Sequence, residues 1–183
     1  TAKAVILPDY NSFIDYLVSL GAKKFKEMKK PRLDFSEYKR EHYFTKELIY
    51  PLRTAISCPY KRCTFCTHHG NANYSMMDLS FIKETIVQNK IKKVCFIDDD
   101  FPLPRLKEIS DILTPLNVKW WCQLRPLKSL VPLLPELYSS GLKSVVWGVE
   151  SGSQRVLDLM QKGTKIEDIE NVLKAAKEAG IRN

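Results

Sequence analysis

The stretch Cys58-Pro-Tyr-Lys-Arg-Cys-Thr-Phe-Cys66 places three cysteines within nine residues. It follows a short run with little charge, residues 52–56, which we predict to belong to a strand. Thiolates are soft ligands, and three of them on one loop can hold three corners of an iron–sulfur cluster. A fourth corner without a protein ligand would leave an open coordination position, so we expect this loop to be a place for chemistry.

The composition is that of a globular protein without a membrane segment. The chain has 183 residues, of which 44% are hydrophobic, and this is enough for one domain with a sizeable core. No apolar run approaches the roughly 20 residues that a membrane-spanning helix needs. Five cysteines are an odd number, which does not suit a disulfide framework and is typical of a reducing cytoplasm. We therefore expect a cytoplasmic location, with Cys95 and Cys122 as core thiols.

The net charge of +8 comes largely from the first third of the chain, for example from residues 23–32. A basic run of this kind can attract phosphate, including RNA. No basic platform interleaved with aromatic residues accompanies it, so we favour a solvated helix end and loop. A nucleic-acid partner stays open but is not favoured.

From Arg53 onward, short apolar runs alternate with amphipathic helices. The predicted strands are 52–57, 93–97, 118–124 and 144–149, and the predicted helices are 78–89, 104–116, 129–140, 153–160 and 164–180. Thr164 and Glu167 have the spacing of a capping box at the start of the last helix. Strands that alternate with helices of this length predict right-handed βαβ units and a parallel sheet. We predict an α/β fold, the first four βα units of a partial (β/α) TIM-like barrel.

The sequence also predicts how the chain is divided. Residues 1–50 are expected to be a lead-in segment, with a short strand at 4–7 and a helix at 11–20, and residues 51–183 the N-terminal part of a core domain. A fifth strand is due where the sequence stops, so we expect a piece of a longer barrel. Half a barrel leaves sheet edges unpaired, and we expect these edges to be covered or to mediate dimerisation.

Four interpretations of the three clustered cysteines are open from the residues alone. A zinc ion could be held by them together with His68 or His69. A plant-type 2Fe–2S cluster shares their spacing and would take Cys95 as its fourth ligand. The cysteines could also bind nothing, although thiols packed this closely tend to oxidise or to capture metal. The fourth interpretation is a 4Fe–4S cluster with one open iron, at the mouth of the sheet where α/β active sites gather.

Two separated stretches, residues 56–66 and 141–163, resemble the radical SAM enzymes, and residues 96–101 match in kind. The resemblance covers the chain from about residue 49 to its end. The commonest spacing in that family has three residues between the first two cysteines, whereas this chain has four. The wider spacing is similar to a subgroup with an N-terminal cobalamin-binding domain, which implies cobalamin bound through a domain outside this chain.

The resemblance implies a 4Fe–4S cluster on Cys58, Cys63 and Cys66, with S-adenosylmethionine on the open iron. Reduction of the cluster would cleave S-adenosylmethionine into methionine and a 5′-deoxyadenosyl radical, which abstracts hydrogen from the substrate. The implied partners are an electron donor such as flavodoxin or ferredoxin and an unidentified small-molecule or peptide substrate. Methyl transfer, cyclisation or another rearrangement would follow, with this piece weakly active or inactive alone. The alternatives are an RNA-modifying radical SAM enzyme or a non-catalytic iron–sulfur or zinc domain.

The same resemblance implies a set of side chains around S-adenosylmethionine. The set is Phe65, Asp98, Asp99, Gln123, Arg125, Glu150 and Ser151. Phe65 is expected to shield the cluster near the adenine, and an acid of the run 98–100 to meet the methionine ammonium. Arg125 would pair with the methionine carboxylate, because guanidinium and carboxylate form strong bidentate contacts. Glu150, with Ser151, is expected to accept hydrogen bonds from the ribose hydroxyls.

Overall fold

The computed structural model describes residues 10–21, 33–44, 46–67 and 73–183, and these fall into two units, residues 1–32 and 33–183. The first unit contains helix α1 (Tyr10–Ser19), in agreement with the helix predicted at 11–20. The strand predicted at 4–7 and the basic run 23–32 lie outside the described residues. In the part of the chain that is described, no helix is long and apolar enough to cross a membrane.

The second unit is built on a parallel sheet of four strands. They are β1 (Tyr50–Leu52), β4 (Lys93–Phe96), β5 (Lys119–Leu124) and β6 (Leu142–Trp147), hydrogen-bonded in that order. Neighbours in the chain are neighbours in the sheet, which confirms the predicted succession of βα units. Because Leu52 lies beside Phe96 and Leu124 beside Trp147, the carboxyl ends of the four strands meet at one edge.

Five helices accompany this sheet. They are α2 (Leu79–Gln88), α3 (Leu103–Leu113), α4 (Leu134–Ser139), α5 (Gln154–Leu159) and α6 (Ile166–Glu178), and buried side chains of α2, α3, α4 and α6 form one core with the strands. The strand residues that face them alternate along β5, where Trp120, Cys122 and Leu124 are buried. The Trp120 indole N–H donates to Ser140 Oγ at 3.3 Å, while Trp121 is half-buried. Cys122 is a core thiol as expected, and burial raises its pKa well above the usual range.

The first predicted strand, 52–57, is wrong in its extent. The chain leaves the parallel sheet after Leu52, and β2 (Ala55–Ile56) pairs antiparallel with β3 (Ser75–Met76) in a separate two-stranded sheet. The cause lies at Thr54, whose N–H and hydroxyl donate to the Asp98 carboxylate at 2.9–3.0 Å. This contact turns the backbone out of the sheet just before the cysteine stretch.

A buried arginine fixes the same corner from the other side. Arg105 of α3, only 5% exposed, donates to the carbonyl oxygens of Thr54 and Met77 and pairs with Glu108. The Met77 N–H also donates to the Thr54 carbonyl at 2.8 Å. The two-stranded sheet at the base of the cysteine loop is therefore bound to the helix layer by buried polar contacts.

Two helices differ from their predictions. The stretch predicted as one helix at 129–140 begins as a 3₁₀ helix, Lys128–Leu133, before α4 starts, because Pro132 and Pro135 have no N–H to donate. The capping box is also wrong. Helix α6 begins at Ile166, whose N–H donates to Gln154 Oε1 at 3.0 Å, and the buried Thr164 hydroxyl has no partner.

The outer edge of β6 is partly covered by the end of the chain. Arg182 pairs with Ser144 in parallel fashion, exchanging backbone hydrogen bonds with Lys143 and Val145. This is the position that the next parallel strand of a barrel occupies, so the geometry fits the predicted partial barrel. Dimerisation through a sheet edge stays a prediction.

Replacing Asp98 tests whether this carboxylate holds the corner of the chain. The Asp98→Ala variant leaves the buried N–H and hydroxyl of Thr54 without an acceptor, so we expect the free energy of unfolding to fall by about 2–3 kcal/mol. Asp98→Asn keeps one acceptor oxygen, so its free energy of unfolding should fall by less. Urea unfolding of the metal-free protein measures both, and an unchanged Asp98→Ala midpoint would contradict the structural role.

Candidate metal and cofactor centre

A cavity of about 230 Å³ lies at the carboxyl ends of the parallel strands. It brings together residues that are far apart in the sequence, as α/β folds do at this edge. Of the predicted site residues, those that line it are Cys58, Cys63, Phe65, Cys66, Asp99, Gln123, Arg125 and Glu150. The three sulfurs therefore share one cavity with the end of the fourth strand of the parallel sheet, which the prediction required.

The three cysteines of the loop are free thiols and half-buried. The Tyr60 N–H donates to Cys58 Sγ at 3.4 Å, and the Cys66 N–H to the Cys63 carbonyl at 3.2 Å. The loop turns tightly enough to place Ser57 and Lys61 at positive φ, 67° and 52°. Non-glycine residues in this region are uncommon and concentrate at functional sites, where the surrounding structure holds them.

The far end of the loop is tied to the turn after α5. The Thr64 N–H donates to the Met160 carbonyl at 3.0 Å, and the Tyr60 hydroxyl to the Gln161 carbonyl at 2.9 Å. The last carbonyls of a helix and of its terminal turn lack partners within the helix, so the loop satisfies groups that would otherwise need water. The cysteine loop and the segment after β6 consequently position each other.

Arg125 has its charge paired within the protein. Its Nε donates to Asp100 Oδ2 at 2.7 Å, its backbone N–H donates to Asp100 Oδ1 at 3.2 Å, and Asp100 is only 4% exposed. The guanidinium carbon lies 3.7 Å from the centre of the Tyr60 ring, a close cation–π contact. An anion that binds Arg125 from the cavity must use the N–H groups that remain.

Lys162 is a second, nearly buried cation in the cavity. Its Nζ lies 2.9 Å from Glu150 Oε1 and 5.7 Å from the centre of the Phe65 ring, and the residue is 6% exposed. Gly148 leaves room for this pair, since an added Cβ would come within 3.0 Å of Lys162 Nζ. Burial raises the pKa of Cys63, and the positive charges of Lys162 and Arg125 partly offset that effect.

Two predicted residues are not part of the cavity lining. Asp98 is buried beside Thr54. Burial raises the pKa of its carboxyl group, and the hydrogen bonds from Thr54 only partly offset this effect. The Ser151 hydroxyl accepts from the Ser153 N–H at 3.1 Å, in a local turn. His68 and His69 lie outside the described residues. Cys95, the fourth ligand of the ferredoxin interpretation, lies within β4 and is not part of the cavity lining. The prediction that it is a core thiol is wrong, because Cys95 is only half-buried, although partial burial raises its pKa.

The model of the radical SAM superfamily matches residues 54–183. The chain belongs to the radical SAM superfamily. A protein of Pyrococcus horikoshii described as an uncharacterized methyltransferase is 24% identical in an alignment of 140 positions, and the alignment covers 70% of this chain and 30% of that protein.

Solved structures resemble most of this radical SAM chain. The cobalamin-dependent S-adenosylmethionine radical enzyme OxsB gives a TM-score of 0.62 at 22% identity, over 73% of this chain and 23% of OxsB. The methyltransferase TsrM from Kitasatospora setae gives 0.57 at 20% identity, over 73% and 29%. Methylornithine synthase (PylB) gives 0.55 at 16% identity, over 78% and 45%. These likenesses show the fold, and the chain spans less than half the length of each.

The sequence patterns do not predict the roles of three residues of this cavity. Tyr60 and Lys162 lie within the two motifs, where the pattern assigns them no role, and Asp100 is not distinguished from its acidic neighbours. The available signal was their position: Tyr60 lies between two predicted ligands, and Lys162 lies directly before Gly163 in the second motif. Spacing along the sequence does not show which of them meet across the cavity.

The Lys162–Glu150 pair supplies a test of the cavity's charge pairing. Lys162→Met removes the cation beside a carboxylate that is about two-thirds buried, so we expect the free energy of unfolding to fall by about 1–2 kcal/mol. Lys162→Met combined with Glu150→Gln should cost less than the sum of the single changes. Thermal unfolding of the single and double variants measures this double-mutant cycle, with Lys165→Met at an exposed position as the control. Losses of stability that add up would contradict the pairing.

Proposed function

We propose that this chain is the part of a radical SAM enzyme that binds a 4Fe–4S cluster through Cys58, Cys63 and Cys66 and S-adenosylmethionine beside it. One observation carries the proposal: three free thiols from a single loop line the same cavity as residues from the ends of the parallel strands. When bound, these groups supply one-electron cleavage of the sulfonium and a 5′-deoxyadenosyl radical.

The chemistry of the donor set suits an iron–sulfur cluster. Cysteine thiolates are the ligands that hold such clusters, and three cysteines of one loop line the cavity. Within the described ranges, no three His, Cys, Asp or Glu side chains form a group that could hold a single metal ion, and His68 and His69 lie outside those ranges. Burial raises the pKa of Cys63, Lys162 and Arg125 partly offset that effect, and the Tyr60 N–H donates to Cys58 Sγ, so these two sulfurs have positively charged or hydrogen-bonding neighbours in the cavity.

The remaining cavity residues are suited to S-adenosylmethionine. Phe65, 48% exposed, presents an aromatic face beside the sulfurs for the adenine and shields the metal site from water. Lys162 orients the Glu150 carboxylate, which has capacity to accept from ribose hydroxyls. Asp99 is the candidate for the methionine ammonium, and Gln123 and Arg125 for its carboxylate. Asp98 and Ser151 we leave out of this set, because their polar groups bond Thr54 and Ser153.

The proposed reaction of the longer protein is cobalamin-dependent methyl transfer or rearrangement. The four-residue gap between Cys58 and Cys63 supports it, as does the likeness in fold to structures described as cobalamin-dependent. Cobalamin would be bound outside this chain, and residues 51–183 would form the first part of the barrel after a lead-in of residues 1–50. A cytoplasmic flavodoxin or ferredoxin would supply the electron, and the substrate would be a small molecule or peptide.

Anaerobic reconstitution with iron and sulfide tests the proposal. We expect about four irons per chain with the brown absorption of a 4Fe–4S cluster, and loss of that absorption in Cys58→Ala, Cys63→Ala or Cys66→Ala. A reddish 2Fe–2S protein or a colourless zinc protein would contradict it.

Alkylation of the native protein gives a second readout of the ligands. Cluster assembly should protect Cys58, Cys63 and Cys66 from iodoacetamide, because the coordinated sulfurs are no longer free nucleophiles. Cys122 should stay unreactive with or without the cluster, since it is 3% exposed with a strongly raised pKa. Mass spectrometry of the labelled peptides decides the outcome, and labelling of all three loop cysteines in the reconstituted protein would argue against them as ligands.

A further inference from the structure

Tyr60 makes three contacts that tie the interval between the first two cysteines to distant parts of the fold. Its ring lies against the Arg125 guanidinium at 3.7 Å, directly after β5. Its hydroxyl donates to the Gln161 carbonyl at 2.9 Å, in the turn after α5. Its backbone N–H donates to Cys58 Sγ at 3.4 Å. One residue thus joins a sulfur, a strand end and a helix end, and its hydroxyl reaches a carbonyl 101 residues away in the sequence.

The chain is shaped around this ring at Gly163. A Cβ at Gly163 would overlap the phenol oxygen and come within 2.8 Å of Tyr60 Cζ, so only glycine lets the ring reach its place. Gly163 also has a φ of +69°, which disfavours other residues for a separate reason. The ring therefore fills a space that the turn after α5 leaves open for it.

Tyr60 also lines two cavities. The cavity with the three sulfurs and a second one of about 430 Å³ share Tyr60, Asp100, Leu124 and Arg125 in their linings. Arg125 is in turn fixed by Asp100 through two hydrogen bonds. The ring thus stacks on a guanidinium that is itself held by a salt bridge.

We propose that Tyr60 is a positioning residue that wedges the Cys58–Cys63 interval between Arg125 and the Gln161–Gly163 turn, and so sets how the sulfurs are presented to the cavity. This rests on the proposed function in one respect, that the sulfurs hold an iron–sulfur cluster. The wedge itself is a property of the metal-free chain, so it can be tested whether or not a cluster assembles.

The first test uses the reconstituted protein and three variants. Tyr60→Leu should lose iron to a chelator about tenfold faster than the unaltered protein and change the g values of the reduced cluster, because the stacking and the hydroxyl anchor are both gone. Tyr60→Phe keeps the ring, so its rate of iron loss should stay within about threefold of the rate of the unaltered protein, and its g values should be unchanged. Tyr138→Leu is the matched control, since Tyr138 stacks on Lys143 at 4.3 Å and borders Gly180 away from the cysteines.

The second test needs no cluster. Amide hydrogen exchange of residues 58–67 in the metal-free chain should accelerate in Tyr60→Leu but not in Tyr138→Leu. Gly163→Ala should lower the melting temperature of both the unaltered chain and Tyr60→Ala, but the decrease should be about 2–6 °C smaller in Tyr60→Ala. The backbone strain at positive φ is present in both backgrounds, whereas the overlap with the ring occurs only when Tyr60 is present.

These measurements separate the two proposals. If the unaltered protein assembles no iron–sulfur cluster, the proposed function fails. Amide hydrogen exchange and the double-mutant cycle of Gly163 and Tyr60 still test the positioning role of Tyr60 in that case. Iron release, g values and exchange in Tyr60→Leu that match those of the unaltered protein would overturn the positioning role. Equal changes in Tyr60→Leu and Tyr138→Leu would overturn it too, because they would reflect general loss of stability.

Discussion

The three hydrogen bonds that Thr54 donates to the Asp98 carboxylate decide where the chain leaves the sheet. Both groups are buried, so neither can exchange this contact for water without a free-energy penalty. Because Asp98 lies two residues after the end of β4, the contact fixes the start of the cysteine loop at the carboxyl edge of the parallel strands. Everything proposed for the site needs the loop to begin there.

The cavity beyond that corner is organised by paired charges. Arg125 is held by Asp100 and Lys162 by Glu150, and all four side chains line the space beside the sulfurs. Pairing lets two cations stay close to the thiols at low exposure, where unpaired charges would be costly. Their fields favour thiolates at Cys63, against the effect of burial. Such preorganised electrostatics suits a site in which negatively charged sulfurs must hold a metal cluster.

The periodicity of the sequence predicts most of the fold, and the tertiary contacts explain what it misses. From residue 78 onward, most strands and helices lie where apolar runs and helical spacing place them, because burial in one core rewards those patterns. The stretch 129–140 is an exception, since it begins as a 3₁₀ helix. The first strand is misjudged because Asp98, 44 residues away, takes the Thr54 N–H. The capping box fails since Gln154 reaches the Ile166 N–H. Both competitors are side chains from other elements, which local patterns do not reveal.

The same distinction between local sequence patterns and tertiary contacts applies to the site. The three cysteines, Phe65 and Glu150 could be found from motifs, since each lies next to a strand end or within the loop. Arg125 also reaches the cavity, but in a pair with Asp100 and stacked on Tyr60, whereas the sequence suggested a free guanidinium for a ligand carboxylate. Lys162 and Tyr60 acquire their positions only when the turn after α5 meets the cysteine loop.

The most direct test of the account is electron paramagnetic resonance of the reconstituted, reduced protein with and without S-adenosylmethionine. If three sulfurs leave one iron open beside Glu150 and Arg125, the spectrum should be that of a reduced 4Fe–4S cluster, and its g values should change when S-adenosylmethionine is added. A spectrum that is identical with saturating S-adenosylmethionine would show that no iron is open to it, and would contradict the central claim.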